Sequence, residues 1–204
     1  MCEIEGFILA GGASSRMGTD KARLYLGRKQ FVERIAEALQ GIAERICVIG
    51  GKDQGTAWRL PHVNDFYPGW GALGGLHAAL AACRAPWAAV VACDLPFVKG
   101  ELFVRLAQRR TAFDAVVPVQ PDGLRQPLCA LYRIAPCLER AQDLIARGER
   151  RPRVLLDEVR TRLVAFEELA DLDGANYFFS NINTPEDYQQ ARRRNDERET
   201  LNDE

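Results

Sequence analysis

Short, unbroken apolar runs alternate along the chain with segments in which apolar residues recur at helical spacing. The runs Phe7–Ala10, Arg45–Ile49 and Trp87–Cys93 show no alternation of apolar and polar positions. Such runs are typical of parallel strands buried on both faces, since helices then cover the sheet on each side. Between the first two runs, Gln30–Gln40 carries its apolar residues at the spacing of a helix. The pattern predicts a three-layer α/β/α sandwich with a mostly parallel, Rossmann-like sheet.

The rest of the chain continues this alternation as far as a polar C-terminal end. We expect further helices at Gly74–Cys83, Glu101–Arg109 and Pro136–Ala146, and further strands at Val63, Ala115–Val119, Gln126–Tyr132 and Thr161–Phe166. Gly148–Arg153 (GERRPR) is predicted to be a basic linker that breaks helices. Thr184 and Pro185 predict the start of a last helix, because threonine is a good N-cap and proline fits the first helical position. We therefore expect one domain over residues 1–190 and a polar, frayed tail over residues 191–204.

The first apolar run ends in a glycine-rich, cationic loop. Gly11 and Gly12 follow the run directly, and Arg16 and Lys21 lie further along the same loop. Glycines allow backbone N–H groups to approach phosphate oxygens, and the two cations add charge and directed donors. The loop lacks the Gly-Lys-Ser/Thr ending of a Walker A loop and does not begin as G-x-G-x-x-G. Two solvated loop charges are the alternative interpretation, but the position after a buried strand favours a phosphate site.

Two carboxylates also follow predicted strands. Asp65 comes after Val63, and Asp94 closes the most apolar run of the chain. In parallel sheets, ligands bind outside the carboxyl ends of the strands, so both carboxylates and the glycine-rich loop are expected at one edge. Asp94 is either a turn or cap residue or a ligand for Mg²⁺, which takes one or two protein carboxylates together with substrate phosphates. A plain Asx turn is the alternative interpretation for Asn64 and Asp65.

Composition narrows the classes of function further. The chain has 27 Lys and Arg against 28 Asp and Glu, a formal net charge of −1, which gives no reason to expect nucleic acid or an anionic membrane as a partner. The N-terminus has no signal-peptide pattern and no run reaches the length of a membrane span, so we expect a cytoplasmic protein. The six cysteines lack C-x-x-C spacing and are expected to be reduced thiols. His62 and His77 are isolated from other metal ligands in the sequence and are interpreted as structural.

Four ordered segments together resemble one family. LAGGASSRMGTDK is similar to the signature loop of nucleotidyltransferases that activate small molecules with NTPs. With CDLPF, QPLCALY and NINTPED added, the chain resembles the molybdenum cofactor guanylyltransferases over most of its length. The resemblance implies transfer of GMP from GTP to the terminal phosphate of molybdenum-bound molybdopterin. The products would be the guanine dinucleotide cofactor and pyrophosphate.

The resemblance also implies roles for individual residues. Arg16, Lys21 and Asp94 would be catalytic, with Mg²⁺ on Asp94 as the cofactor. The nucleotide would contact Leu9, Ala10, Gly11, Gly12, Lys21, Gly50, Asp65 and Asp94, and the acceptor would contact Arg125, Gln126, Asn181 and Asn183. Gly50 departs from the pattern, since some members of the family have an asparagine there. Asn181 and Asn183 would face the same way on a strand. The alternative for Asn181 and Asn183 is a helix-entry turn, and the alternative for Arg125 and Gln126 is a simple strand start. Arg150, Arg151 and Arg153 could bind the pterin phosphate or form a solvated basic turn.

Other functions stay open at this point. A related enzyme could use CTP on the molybdenum cofactor or act on a sugar or polyol phosphate. A non-catalytic protein that binds or delivers the cofactor is the alternative of another class, although binding alone would not require Arg16, Lys21 and Asp94 together. The expected substrates are GTP and molybdopterin, and the resemblance implies cofactor-biosynthesis or molybdoenzyme-maturation proteins as protein partners.

Overall fold

A seven-stranded sheet forms the centre of the fold in the computed structural model, which describes residues 3–10, 21–50 and 58–202. In chain order the strands of this sheet are β1 Ile4–Leu9, β4 Ile46–Ile49, β5 His62–Val63, β6 Trp87–Ala92, β7 Ala115–Pro118, β8 Cys129–Arg133 and β9 Thr161–Val164, and a separate hairpin pairs β2 Tyr25–Leu26 with β3 Lys29–Gln30. Their order across the sheet is β5-β4-β1-β6-β8-β7-β9. Only β8 pairs in the antiparallel direction within this sheet, so the prediction of a mostly parallel sheet is confirmed.

Helices cover both faces of the sheet. The helices of the described residues are α1 Phe31–Gln40, α2 Gly71–Ala82, α3 Gly100–Ala107, α4 Ile134–Ala146, α5 Pro152–Glu158 and α6 Pro185–Asn202. Helices α1 and α3 pack together on one side, while α2, α4 and α5 pack together on the other. Along β1, Phe7 belongs to the core under α2 and Ile8 to the core under α1. Successive side chains of a strand point to opposite faces, so the unbroken apolar run fills both cores and the α/β/α sandwich is confirmed.

A glycine in β1 allows α1 to lie close to the sheet. A Cβ atom placed on Gly6 would meet Leu39 Cδ1 at 3.1 Å and Ile46 Cγ1 at 3.2 Å. Both contacts are tighter than ordinary packing, and well-packed interiors resist added volume. The glycine therefore helps to set the distance between α1 and the strand that carries the first loop.

Two element predictions in the second half of the chain differ from the structure in their bounds. Residues 147–151 separate α4 from α5, as predicted for the linker Gly148–Arg153, but α5 already begins at Pro152, because proline is tolerated in the first helical turn. The strand predicted at Gln126–Tyr132 begins later, at Cys129, after a turn in which the Cys129 N–H donates to the Gln126 carbonyl at 3.1 Å.

The C-terminal segment also differs from expectation. Residues after 190 were predicted to fray, but α6 continues as far as Asn202. Ala191 and Asn195 are buried, and Arg34 Nη1 donates to Asn195 Oδ1 at 3.1 Å. Contacts of this kind explain why a polar sequence stays helical here. The division of the chain into a domain and a tail stays a prediction.

Candidate active site

The first group of candidate residues lies at the carboxyl ends of four neighbouring parallel strands, β5, β4, β1 and β6. The Leu9 carbonyl accepts a hydrogen bond from the Cys93 N–H at 3.1 Å, and the Ala10 N–H donates a hydrogen bond to the Ile49 carbonyl at 2.9 Å. Gly50 follows directly, with φ at +69°, a left-handed conformation that favours glycine. Leu9, Ala10 and Gly50 therefore lie side by side at one edge of the sheet. Gly11, Gly12 and Arg16 lie outside the described residues.

Asp94 lies at the same edge, just after β6. Its Oδ1 atom is buried and accepts no hydrogen bond from the residues that the structure describes. Burial raises the pKa of Asp94, and the charge of Lys21 opposes this increase. Asp94 is not the N-cap of the following helix, since Lys99 occupies that position of α3. A buried carboxylate oxygen without a donor is costly, which points to a ligand in the working enzyme.

The environment of Asp94 fits a divalent cation. Among the described residues there is no cluster of three or more His, Cys, Asp or Glu side chains that could hold a metal alone. A cation at Asp94 would then complete its coordination with substrate phosphates and water, as Mg²⁺ does in many phosphate-processing sites. The orphaned Oδ1 atom would supply the hard oxygen ligand that such a cation prefers.

Lys21 is held beside Asp94 by a segment near the C-terminus. Lys21 Nζ donates to Asn183 Oδ1 at 2.6 Å, and the Ile182 N–H donates to the Asp94 carbonyl at 3.0 Å. The structure thus brings together three residues predicted from separate motifs, Lys21, Asp94 and Asn183. The prediction that Asn181 and Asn183 lie on a strand was wrong, because residues 180–183 form no strand and Asn181 is exposed.

Asp65 forms the Asx turn that the sequence left open. Its Oδ1 atom accepts a hydrogen bond from the Tyr67 N–H at 2.9 Å. The neighbouring start of α2 is closely packed, because a Cβ atom on Gly74 would come within 2.9 Å of Trp70 Cβ and 3.2 Å of the Tyr67 carbonyl. A Cβ on Gly75 would lie 3.6 Å from Leu9 Cδ1. Glycines therefore bring α2 and Asp65 close to the end of β1.

The remaining predicted acceptor residues lie beside β8 at this edge. Because β8 is antiparallel to β6, its amino end meets the carboxyl ends of the other strands. Arg125 Nη1 donates to Asp157 Oδ1 at 2.6 Å, and the Gln126 N–H donates to the Pro118 carbonyl at 3.0 Å. No described contact joins Arg125 or Gln126 to Lys21.

The basic turn before α5 contacts the start of α2. The Arg150 guanidinium lies 4.8 Å from the centre of the Trp70 ring, and the Trp70 indole N–H donates to the Glu149 carbonyl at 3.1 Å. Arg151 pairs with Glu149 at 2.7 Å. Arg150 and Arg151 therefore have partners within the protein.

Asp187 belongs to the site but was not predicted from the sequence. Its Oδ2 atom accepts hydrogen bonds from the Asn183 and Thr184 N–H groups, both at 2.9 Å. The Asp187 N–H donates to Thr184 Oγ1 at 3.1 Å, which completes a reciprocal cap at the start of α6. The T-x-x-D spacing could have indicated the cap, but not the additional bond to Asn183.

His77 gives a testable pH dependence of stability. It is 5% exposed, and neither ring nitrogen has a hydrogen-bond partner among the described residues. Burial lowers the pKa of His77 from its usual 6.5, while Asp65 partly opposes this effect. The unfolded chain then binds the proton more readily than the folded chain, so folded stability is lost as pH falls below about 6.5. We expect His77→Leu to match or exceed wild type in free energy of unfolding at pH 8, with an advantage that grows towards pH 5.5.

Urea titrations of both proteins at four pH values would measure this difference. A difference in unfolding free energy that stays constant between pH 8 and pH 5.5 would contradict the role given to His77.

Comparison with known proteins agrees with this fold. Residues 6–163 match the family model described as the MobA-like NTP transferase domain. A protein from Pelotomaculum thermopropionicum, named as a probable molybdenum cofactor guanylyltransferase, is 34% identical over 193 residues, which cover 94% of this chain and 93% of the relative. A protein from Carboxydothermus hydrogenoformans with the same name is 34% identical over 187 residues, 89% of this chain and 91% of the relative.

Solved structures show the same architecture. Molybdopterin-guanine dinucleotide biosynthesis protein A from Archaeoglobus fulgidus superposes with a TM-score of 0.79 at 26% identity, covering 95% of this chain and 99% of that one. The 2-C-methyl-D-erythritol 4-phosphate cytidylyltransferase from Thermus thermophilus has a TM-score of 0.69 at 18% identity, with 92% and 96% covered. The second likeness concerns the fold alone.

The fold and the charged edge of its sheet define a nucleotidyltransferase, a class of enzymes that typically uses a divalent metal. Within that class, the chain belongs to the MobA-like NTP transferase domain family. None of the helices in the described part of the chain has the length and apolar character needed to cross a membrane.

Proposed function

We propose that this protein transfers GMP from GTP to the terminal phosphate of molybdopterin in its molybdenum-bound form. The proposal is supported by the names of relatives that align over nearly the whole chain. The observation that carries it is the juxtaposition of Lys21, Asn183 and the orphaned carboxylate of Asp94 at the carboxyl edge of the sheet. Such an edge can receive a nucleotide and a second phosphate together.

The reaction is a displacement at phosphorus. An oxygen of the molybdopterin phosphate attacks the α-phosphorus of GTP, and the bond from that phosphorus to the bridging oxygen of the β-phosphate breaks. The electron pair of this bond leaves with pyrophosphate, and the new phosphoanhydride joins the two halves of the guanine dinucleotide cofactor. Because a phosphate monoester is already an anionic nucleophile, the reaction does not require a general base. Positioning and charge stabilisation therefore provide most of the catalysis.

Each candidate residue has a part in this scheme. Lys21 and Arg16 neutralise the charge that develops on the leaving pyrophosphate, and Asp94 binds Mg²⁺. When bound, Mg²⁺ supplies positive charge to the nucleotide phosphates. The nucleotide lies against Leu9, Ala10, Gly11, Gly12, Gly50 and Asp65, and the acceptor lies towards Arg125, Gln126, Asn181 and Asn183. The protein would act in the cytoplasm and pass its product to molybdoenzyme-maturation proteins.

Base selectivity provides the decisive test. The residues 9–12 are apolar or glycine, so contacts with the base must come from main-chain N–H and C=O groups. Guanine offers a carbonyl acceptor beside ring and amino donors, whereas adenine inverts this pattern and would leave buried polar groups unpaired, at about 1–3 kcal/mol each. We expect a preference for GTP over ATP of at least about tenfold in kcat/KM, since about 1.4 kcal/mol corresponds to one decade.

The measurement is a competition among all four NTPs with molybdopterin as the acceptor. Equal use of ATP and GTP would refute main-chain recognition of guanine. Preference for CTP would instead favour the related cytidylyltransferase. Nucleotide binding without any pyrophosphate release would favour a cofactor-binding protein.

A further inference from the structure

The segment 182–184 connects Asp94 to the start of α6 and is fixed at both ends. At one end, the Ile182 N–H donates to the Asp94 carbonyl at 3.0 Å. At the other end, Asp187 Oδ2 accepts from the Asn183 N–H and the Thr184 N–H, each at 2.9 Å. The side chain of Ile182 is buried, with 1% exposure, and its packing in a hydrophobic cluster also holds the backbone in place. The segment is therefore held in one conformation between Asp94 and α6.

This segment sets the position of the Lys21 ammonium group. The Asn183 side chain accepts the hydrogen bond from Lys21 Nζ at 2.6 Å. A lysine side chain has many rotamers, so a fixed acceptor is needed to direct its charge. The backbone of Asn183 is in turn fixed by the Asp187 carboxylate, and hydrogen bonds that involve an ionised partner are stronger than neutral ones. The two bonds form a continuous connection from Asp187 through Asn183 to Lys21.

We infer that Asp187 is a positioning residue that orients Lys21 through Asn183. The inference rests on the proposed function, in which Lys21 neutralises the leaving pyrophosphate. An ordinary cap at the start of α6 would need only the reciprocal bonds between Asp187 and Thr184. The third bond, from the Asn183 N–H, lies outside this reciprocal pair and fixes the backbone of the residue that contacts Lys21.

Nearby charges are consistent with this arrangement. Hydrogen bonds from the Asn183 and Thr184 N–H groups lower the pKa of Asp187, and the charge of Lys21 adds to the effect. Asp187 is therefore ionised at neutral pH. Burial raises the pKa of Asp94, and the charge of Lys21 opposes this increase, so a single ammonium group influences both carboxylates before any phosphate is bound.

A double-mutant cycle with Lys21 separates positioning from helix capping. We expect Asp187→Ala to lower kcat/KM for GTP by about 10- to 100-fold, because a displacement of about 1 Å in a catalytic group can cost that much. In a Lys21→Ala background, the same substitution should change kcat/KM by less than about twofold, since residues that act as one unit are not additive. A residue that is merely structural would not lose its kinetic effect when Lys21 is absent.

Two matched variants control for stability and local charge. Thr184→Ala removes the oxygen that accepts the Asp187 N–H at 3.1 Å but keeps the carboxylate and its bonds. It should lower the melting temperature and leave kcat/KM within about twofold of wild type, because only the cap is weakened. Glu186→Gln changes the charge of an exposed neighbour in the same helical turn. It should leave kcat/KM unchanged and lower the melting temperature only slightly, because it removes one favourable charge at the start of α6.

The dissociation constant of inorganic pyrophosphate in the presence of Mg²⁺ is then measured for the same four proteins, wild type, Asp187→Ala, Lys21→Ala and the double variant. Pyrophosphate is a product of every reaction of this class, so the result does not depend on the base or the acceptor. If GMP transfer is absent but the pyrophosphate cycle is non-additive, the proposed function fails and the role of Asp187 stands. If transfer occurs and both cycles are additive, or if Thr184→Ala reduces kcat/KM as much as Asp187→Ala does, the role of Asp187 is overturned.

Discussion

Asp94→Asn is expected to abolish turnover and to leave the nucleotide-free protein at least as stable as wild type. The carboxylate closes the most apolar strand, and its Oδ1 atom is buried without a hydrogen-bond donor from the described residues. A neutral amide is a poor ligand for Mg²⁺. Loss of one preorganised charge stabiliser typically costs about 10²–10³ in rate, and loss of the proposed metal ligand should cost at least as much.

The stability half of this prediction follows from the direction of the pKa shift. Burial raises the pKa of Asp94 in the folded protein above the ordinary value of 3.8. For an acid with a raised pKa, the folded state binds the proton more tightly, so stability is lost as pH rises from 3.8 through the folded pKa. At neutral pH the wild type carries this cost, and asparagine, which does not ionise, does not. The active site therefore opposes the stability of the empty protein.

Single-turnover assays and urea unfolding would test both halves. Unfolding is measured with and without Mg²⁺ and GTP, which should stabilise wild type but have little effect on the variant. Asp122→Asn is the matched control, because Asp122 is an exposed turn residue whose Oδ1 atom accepts the Leu124 N–H at 3.0 Å and an amide oxygen can do the same. Near-normal activity of Asp94→Asn at saturating Mg²⁺ would contradict the proposal that Asp94 is a ligand of Mg²⁺.

The sheet could be predicted from the sequence because burial on both faces leaves a clear pattern. Phe7 and Ile8 had to be apolar, since they enter different cores. The direction of β8 left no such pattern, because an apolar run looks alike in either direction. The number of residues between β7 and β8 could have indicated the direction of β8. The ten residues that separate Pro118 from Cys129 form turns and one antiparallel bridge, whereas parallel neighbours need a crossover of a dozen or more residues.

The candidate site could be predicted only in part, for a related reason. Asp94 and Lys21 could be named because each follows a buried strand or its loop. Their link to Asn183 could not, since Lys21 and Asn183 are 162 positions apart and only tertiary packing makes them neighbours. The contact of Asp187 with Asn183 could not be predicted either, because the Asp187 carboxylate already fits an ordinary capping pattern at the start of α6. Spacing along the chain predicts local caps, but not the long-range contact that one of them supports.

Lys21→Ala is expected to lower kcat/KM for GTP by about 10²–10³, the typical cost of one lost charge stabiliser. The melting temperature should barely change. Lys21 is partly exposed, and its hydrogen bond to Asn183 lies at the surface. An exposed charge contributes little to folding. Lys29→Ala is the control, because it removes another surface lysine, which pairs with Glu37 at 2.7 Å and whose charge is not among those that shift the pKa of Asp94.

The pH profile of Lys21→Ala should also change in a defined direction. The Lys21 charge lowers the pKa of Asp94, against the larger effect of burial. Without that charge the pKa of Asp94 rises further, so the carboxylate is protonated at higher pH and can no longer bind a cation there. The acid limb of kcat/KM, which reports the free enzyme, should therefore move to higher pH in the variant and stay in place in Lys29→Ala. A large drop in melting temperature with normal kinetics and an unmoved acid limb would show that Lys21 is structural. A loss of rate without movement of the limb would show that Lys21 acts on the phosphates while Asp94 does not control the profile.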